Sequence, residues 1–442
     1  MTTRISFVFR VTLILMSLIS PGAFAQRPNI IYIMTDDMGY GDLSCYRAAN
    51  APPLPFRTPN LDKLAAQGVK FVNAYAAAPV CTPTRTALMT GRYPARTPVG
   101  LMEPLAHKRR DSTYGLTPAY PSLATLIKAA GYETALIGKW HLGFRPDQSP
   151  NANGFDYSFG ISSGGADYIS HKGEKHDHDL FENGKPVHLQ GYMTDLFTEK
   201  VVGFLRQSHQ KPFFLALTYT APHWPWQGAY DPAYPDSLDY TKGGSAATYA
   251  RMMQRLDESI GLIMQTLDTQ NLTDNTLVIF TNDNGGERYS DNGGLSNSKM
   301  TLWEGGIRVP AFVRWPGKIK PGTTTPQVAV TMDWTATMLA VAGATPNPNF
   351  PLDGIDLMPV CRGQRKPVER TLFWRTFQRT QQKAILVGRW KYLEDEKGEH
   401  LFDLDTDEVE KQNLKASQPK RFEQLKQKYA DWEKTVLEPV AL

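Results

Sequence analysis

The chain has 442 residues, of which 41% are hydrophobic and 21% charged, with a formal net charge of +4 at pH 7. These values describe a compact globular protein and exclude a disordered or low-complexity chain. The balance is too near neutral to point to nucleic acid as a general partner.

The first 26 residues, MTTRISFVFRVTLILMSLISPGAFAQ, carry Arg4 and Arg10 ahead of an apolar run from Val11 to Ile19. The small-residue pattern Ala23-Phe24-Ala25 follows. This reads as a secretory signal peptide over residues 1–25, since the run is too short to span a bilayer and stops at Ser20-Pro21. Cleavage would lower the formal charge to +2. No later segment is apolar enough to cross a membrane, so the expected location is periplasmic or secreted, with no membrane association after cleavage. Three cysteines, Cys45, Cys81 and Cys361, are too few for a disulfide scaffold, and the odd count leaves at least one with another task. Spacing does not decide whether Cys45 and Cys361 pair.

Continuous apolar, β-branched runs mark strands buried on both faces: Asn29–Thr35, Thr134–Gly138, Phe213–Tyr219 and Thr276–Thr281. Helical patterns lie between them, at residues 60–68, 121–131, 192–207 and 250–268. The alternation predicts a parallel sheet covered on both sides, which binds ligands at the carboxyl ends of its strands. At those ends stand Asp36-Asp37, Lys139-Trp140-His141, Ala221-Pro222-His223 and Asn282-Asp283-Asn284-Gly285. Each motif alone is ordinary turn chemistry. Together, at one rim, they form a site.

Asp36, Asp37, Asp283 and Asn284 offer oxygen ligands only, which suits a hard divalent cation, calcium or magnesium, better than zinc. Arg85, Lys139, His141, His223 and Lys299 supply cationic and proton-transfer groups. A divalent ion ringed by such groups describes a pocket for a tetrahedral oxyanion, sulfate or phosphate. A helix beginning near Thr82-Pro83 would add its N-terminal amides.

The segment CTPTRTALMTGRYP (Cys81–Pro94) resembles the signature of the formylglycine-dependent type I sulfatases: Cys-X-Pro-X-Arg, then Thr-Gly-Arg. Asp36-Asp37, GKWHLG, APHWP, TNDNGG and SKMTLWEGGIRVPAFVRWPG occur in that family in the same order, so the resemblance covers essentially the whole mature chain. It implies an alkaline-phosphatase-like α/β sandwich with a large, mostly parallel central sheet over residues 26–368. A smaller C-terminal α+β subdomain, residues 369–442, would follow, with short strands and a helix near residues 418–436.

The resemblance also implies that Cys81 is oxidised to formylglycine by a formylglycine-generating enzyme that reads Pro83 and Arg85. The hydrated aldehyde, a ligand of the metal together with the four oxygen residues, would attack sulfur. Arg85 would neutralise it, Lys139 and Lys299 would hold sulfate, His223 would protonate the leaving alcohol, and His141 would take the proton that lets sulfate depart. The middle segment is similar to sulfatases of the arylsulfatase A and galactosamine-6-sulfatase type, including enzymes that desulfate algal galactans. The expected substrate is therefore a sulfated galactan such as carrageenan, or a glycosaminoglycan. A related phosphoester or phosphonate hydrolase and an inactive sulfated-glycan-binding protein are the competing readings.

Several features admit two readings. Cys81 could be an inert buried thiol, and Trp224 and Trp226 could be core aromatics or a sugar-stacking platform. His107–Arg110 could be a solvated loop or an anion-attracting patch. The tract His171–Asp179 reads as a surface or substrate-contact loop in preference to a metal site. Ser162 and Ser163 carry no assignment.

Overall fold

A computed structural model describes residues 27–106 and 113–440; the expected signal peptide over residues 1–25 and the tract His107–Arg110 lie outside the described residues. Ten strands form one sheet: β1 (Asn29–Thr35), β2 (Val69–Phe71), β4 (Glu133–Lys139), β5 (Tyr157–Ile161), β6 (Phe181–Glu182), β7 (Lys185–Pro186), β8 (Phe213–Thr218), β9 (Thr276–Asn282), β10 (Ala311–Arg314) and β11 (Thr323–Thr325). Their order is β11-β2-β10-β9-β1-β8-β4-β5-β6-β7. β3 (Ala74–Tyr75) pairs with β12 (Ala329–Val330), and β13 (Thr371–Thr376), β14 (Gln382–Val387), β15 (Trp390–Asp395) and β16 (Gly398–Asp403) form an antiparallel sheet.

The middle of the large sheet is parallel: β1 pairs with β8 and β9, and β4 with β8 and β5. Such strands are buried on both faces, which is why they read as unbroken apolar runs. Along β1, Ile31 and Ile33 enter one core with helices α1 (Pro59–Ala66), α4 (Met193–Leu205) and α5 (Ala246–Thr269). Ile30, Tyr32 and Met34 enter the opposite core with α2 (Cys81–Thr90), α3 (Leu123–Ala129) and α7 (Thr331–Ala342). The expected sandwich is present, with the predicted strands and helices displaced by at most a few residues at their ends.

A third core joins the small sheet and the helix Pro419–Glu433 to the segments that carry the site. Trp374, Tyr392, Phe422 and Trp432 pack with Tyr75, Ala77, Ala87, Leu302 and Ile307. Trp374 donates its indole N–H to the Ala76 carbonyl at 2.8 Å, and Gln382 accepts from the Leu302 amide at 2.6 Å. The C-terminal unit thus braces both the start of α2 and the loop bearing Lys299. Cys361 is buried and Cys45 half-buried, and both thiols are free. Among the described residues no helix is long and apolar enough to cross a membrane.

Candidate active site

Because β9, β1, β8 and β4 are consecutive in the sheet and run parallel, their four polar ends open on one rim. Asp36 and Asp37 leave β1, Asp283 and Asn284 leave β9, His223 follows β8, and Lys139 closes β4 with His141 two residues on. Cys81 is the first residue of α2, whose axis ends over the same rim. All ten candidate residues are buried or nearly so.

Charge compensation ties the set together. The Arg85 guanidinium bonds Asp36 Oδ2 and Asp283 Oδ2, each at 3.0 Å, and the Lys139 carbonyl at 2.9 Å. Lys139 Nζ stands 2.5 Å from Asp36 Oδ2, and Lys299 Nζ 2.6 Å from Asp37 Oδ2. Burial raises the Asp36 carboxyl, but Lys139, His223 and Arg85 outweigh it and hold the group well below the carboxylate range. Asp283 is pushed up to about 7 by burial and by the neighbouring Asp36 charge. The three buried carboxylates, Asp36, Asp37 and Asp283, are matched in number by three buried cations, Arg85, Lys139 and Lys299.

Two buried acceptors, Asp36 Oδ1 and Asn284 Oδ1, have no hydrogen-bond partner, while Asn284 Nδ2 donates to Asp37 Oδ1 at 2.8 Å. Leaving such atoms unpaired costs about 1–3 kcal/mol each. A hard cation held by oxygen atoms would engage the unpaired acceptors and offset the repulsion between the adjacent Asp36 and Asp283 carboxyls, so these residues fit calcium or magnesium. Among the described residues the compact group of possible His, Cys and carboxylate ligands is Asp36, Asp37 and His223, so His223 stands closer to the acids than the sequence pattern alone implied.

The histidines are fixed in different tautomers. His141 Nε2 meets the Leu105 carbonyl at 2.9 Å and therefore donates, which leaves Nδ1 bare and without a partner. Thr82 Oγ1 donates to the His141 carbonyl at 3.2 Å and accepts from the Leu105 amide at 3.1 Å. Burial, then Lys139, holds His141 well below the usual imidazole value, so it is a neutral base. His223 Nδ1 donates to the Trp224 carbonyl at 2.6 Å and its Nε2 lies 3.5 Å from Asp37 Oδ2. Burial and Lys299 push it down to about 4. Burial also raises the Cys81 thiol, against the pull of Lys139 and Lys299, so the unmodified thiol is a poor nucleophile.

Cys81, His141, His223 and Lys299 line one cavity of about 930 Å³, together with Glu174 and Trp224. Trp224 is the partly exposed aromatic of its pair; Trp226 is buried, packed against Tyr289 at 4.9 Å. The tract His171–Asp179 sends Glu174 and His176 to the cavity wall, in keeping with a substrate-contact loop. Ser162 and Ser163 instead bond Asp179 and shape that loop. Sequence reasoning missed Gly164 and Gly165: a Cβ on Gly164 would stand 2.7 Å from His141 Cε1, and one on Gly165 3.2 Å from the His223 ring. The signal was the Gly-Gly pair that follows β5 after Ser162 and Ser163.

Residues 28–344 match the family model described as Sulfatase, about seven-tenths of the chain, and residues 296–435 match the C-terminal model of N-sulphoglucosamine sulphohydrolase. The chain belongs to the sulfatase family. It is a sulfuric ester hydrolase. The human N-acetylgalactosamine-6-sulfatase is 34% identical over 372 residues, covering 79% of this chain and 68% of that protein. Among solved structures, Ps i-CgsB superposes with a TM-score of 0.83 at 30% identity, covering 94% of this chain and 95% of the other. Its complex with k-i-k-neocarrahexaose superposes at 0.82, with the same identity and coverage. The matched family and the human relative are named as sulfatases, which favours that reading over a phosphoester hydrolase or an inactive binding protein.

Proposed function

We propose that this sulfatase is an exported enzyme that removes sulfate from a sulfated carbohydrate, a galactan such as carrageenan or a glycosaminoglycan, with Cys81 converted to formylglycine. The observation that carries the reading is Cys81 heading α2 at the base of a cavity it shares with His141, His223 and Lys299. A neighbour of the same fold holds a carrageenan hexasaccharide, and a relative is named for N-acetylgalactosamine 6-sulfate, which supports the carbohydrate class. The leader pattern of residues 1–25 supports export. A formylglycine-generating enzyme is the partner in maturation, and residues 26–368 and 369–442 are the catalytic domain and its appended subdomain.

In this reading Asp36, Asp37, Asp283 and Asn284 hold calcium, whose charge would favour ionisation of the hydrated residue 81 and offset charge on sulfate. Arg85 neutralises the nucleophilic oxygen; Lys139 and Lys299 bind sulfate oxygens in a water-poor site where such contacts are strong. As the sulfur–oxygen ester bond breaks, His223 Nε2 delivers a proton to the departing sugar oxygen. The bare Nδ1 of His141 takes the proton whose loss lets sulfate leave. A bound sulfate ester brings negative charge beside His223 and raises its proton affinity above that of the empty site.

The test is sulfate release from carrageenan and chondroitin oligosaccharides and from nitrophenyl sulfate against nitrophenyl phosphate, with metal-stripped and calcium-restored enzyme, alongside peptide mass spectrometry of residue 81. The expected result is calcium-dependent sulfate release from a sugar sulfate and an aldehyde or its hydrate at residue 81. Full activity with an unmodified thiol would sink the mechanism.

A further inference from the structure

On the outer wall of the catalytic cavity, two exposed charged side chains have no hydrogen bond or ion pair among the described residues. Arg379 sits in the turn between β13 and β14, and Glu174 in the loop after β5; both line the cavity that holds Cys81. The other acids on that wall are engaged: Asp236 with Lys172 at 3.0 Å, Asp239 with the Thr241 hydroxyl at 2.7 Å, and Glu287 with Lys299 at 3.8 Å. No hydrogen bond or ion pair among the described residues claims the Arg379 guanidinium or the Glu174 carboxylate. They lie within each other's electrostatic reach: burial lifts the Glu174 carboxyl, while Lys139 and Arg379 pull it back.

The turn bearing Arg379 is held from both sides. Glu103 accepts from the Phe377 and Gln378 amides at 2.8 and 2.9 Å, Gln378 accepts from the Glu103 amide at 2.9 Å, and the Thr380 hydroxyl donates to the Met300 carbonyl at 3.0 Å. The Glu174 loop is pinned by bridges of Ala166 with Gly173 and Lys172 with His178. Both side chains are exposed at the cavity mouth, and this bracing fixes the backbone that carries them towards a ligand. A forked donor beside an acceptor matches adjacent hydroxyl groups.

We propose that Arg379 and Glu174 are specificity-determining residues that grip the free hydroxyls of the sulfated sugar. This rests on the carbohydrate-sulfatase reading above. Arg379→Met, Arg379→Lys and Glu174→Gln are compared with wild type on nitrophenyl sulfate, a monosulfated galactose-type oligosaccharide and its disulfated counterpart. A site built for hydroxyls leaves its own polar groups unpaired when the match is lost, so kcat/KM on the monosulfated sugar should fall about 10- to 100-fold further than on nitrophenyl sulfate. Arg379→Lys should not restore it. Equal losses on all substrates, or none, overturn the assignment. So does a loss confined to the disulfated sugar and rescued by Arg379→Lys, which would make the arginine an anion reader. Wild type that hydrolyses nitrophenyl sulfate and no sugar sulfate would overturn the carbohydrate reading and the assignment together, whereas an active wild type with unaffected variants would overturn the assignment alone.

Discussion

His141 and His223 differ in which ring nitrogen the protein leaves free, and that difference separates their expected variants. His223 presents Nε2 towards the acids, whereas His141 keeps Nδ1 bare beneath the Leu105 and Thr82 contacts. A sugar alkoxide needs a proton to leave and a nitrophenolate does not, and general acid catalysis contributes about a hundredfold to ten-thousandfold where it is needed. His223→Ala should therefore lower turnover of a sugar sulfate far more than of nitrophenyl sulfate, and His141→Ala should slow both by blocking sulfate release. Single-turnover and steady-state assays on the two substrates distinguish these patterns; equal losses for His223→Ala would move the acid to Lys299. Both histidines were legible because they follow apolar runs. Gly164 was not, because its role is a distance between segments far apart in sequence. Gly164→Ala must displace the His141 ring, since the added carbon would sit 2.7 Å from Cε1. A shift of about 1 Å in a reacting group can cost about a hundredfold, so kcat should fall on that scale while thermal stability changes little. Near-wild-type kcat would show that the ring has room to move.

Between elements, the contact that matters most joins the catalytic loop to the C-terminal sheet through a buried charge cluster. Lys391 on β15 pairs with Glu304 Oε1 at 2.8 Å and Glu410 Oε1 at 2.7 Å, and Glu410 also accepts from the Glu304 amide at 2.7 Å. Glu304 also has Arg308 at 3.7 Å and the Tyr75 hydroxyl at 2.9 Å, whereas the one cation paired with Glu410 among the described residues is Lys391. Glu410 is accordingly pushed up to about 7, first by burial and then by Glu304, with Lys391 opposing. An acid that holds its proton more tightly folded than unfolded contributes stability that is complete below its ordinary value near 4.5 and is lost as pH rises through 7. Melting temperature should fall between pH 5 and 8, and Glu410→Gln should flatten that slope; an unchanged slope would place the titrating group elsewhere. Lys391→Met should destabilise by about 3–5 kcal/mol, since it removes the cation paired with buried Glu410 and one of two paired with Glu304, and denaturant unfolding measures it. None of this cluster was visible in the sequence, where Glu304 is one charge in a glycine-rich stretch. The elements themselves were plain wherever burial on both faces forced an unbroken apolar run. β10 was harder: four residues, antiparallel to β9, placed by pairing rather than by pattern.

At the scale of the whole molecule, the active site exists because four parallel strands at the centre of the sheet end at one rim, so the charge cluster is also the joint between β1 and β9. Asp36 and Asp37 come from one strand, Asp283 and Asn284 from its neighbour, and Arg85 on α2 bonds an acid from each. That arrangement was inferable from the alternation of strands and helices; which strands are neighbours was not, because strand order is set by crossovers that no local pattern records. A cation held across this joint should stabilise the fold as a whole. A ligand that binds only the native state at one hundred times its Kd adds about 2.7 kcal/mol, so chelation should lower the melting temperature and calcium should restore it. Asp283→Ala should abolish both the calcium-dependent rise and sulfate release, because it removes one carboxylate of the oxygen set and an Arg85 partner together. Glu410→Gln, away from the rim, should keep the calcium-dependent rise, which separates loss of the cation from general weakening. Should Asp283→Ala retain a full calcium response, the cation would have to sit elsewhere; a response to magnesium equal to that for calcium would leave the oxygen set in place and change only the ion it selects.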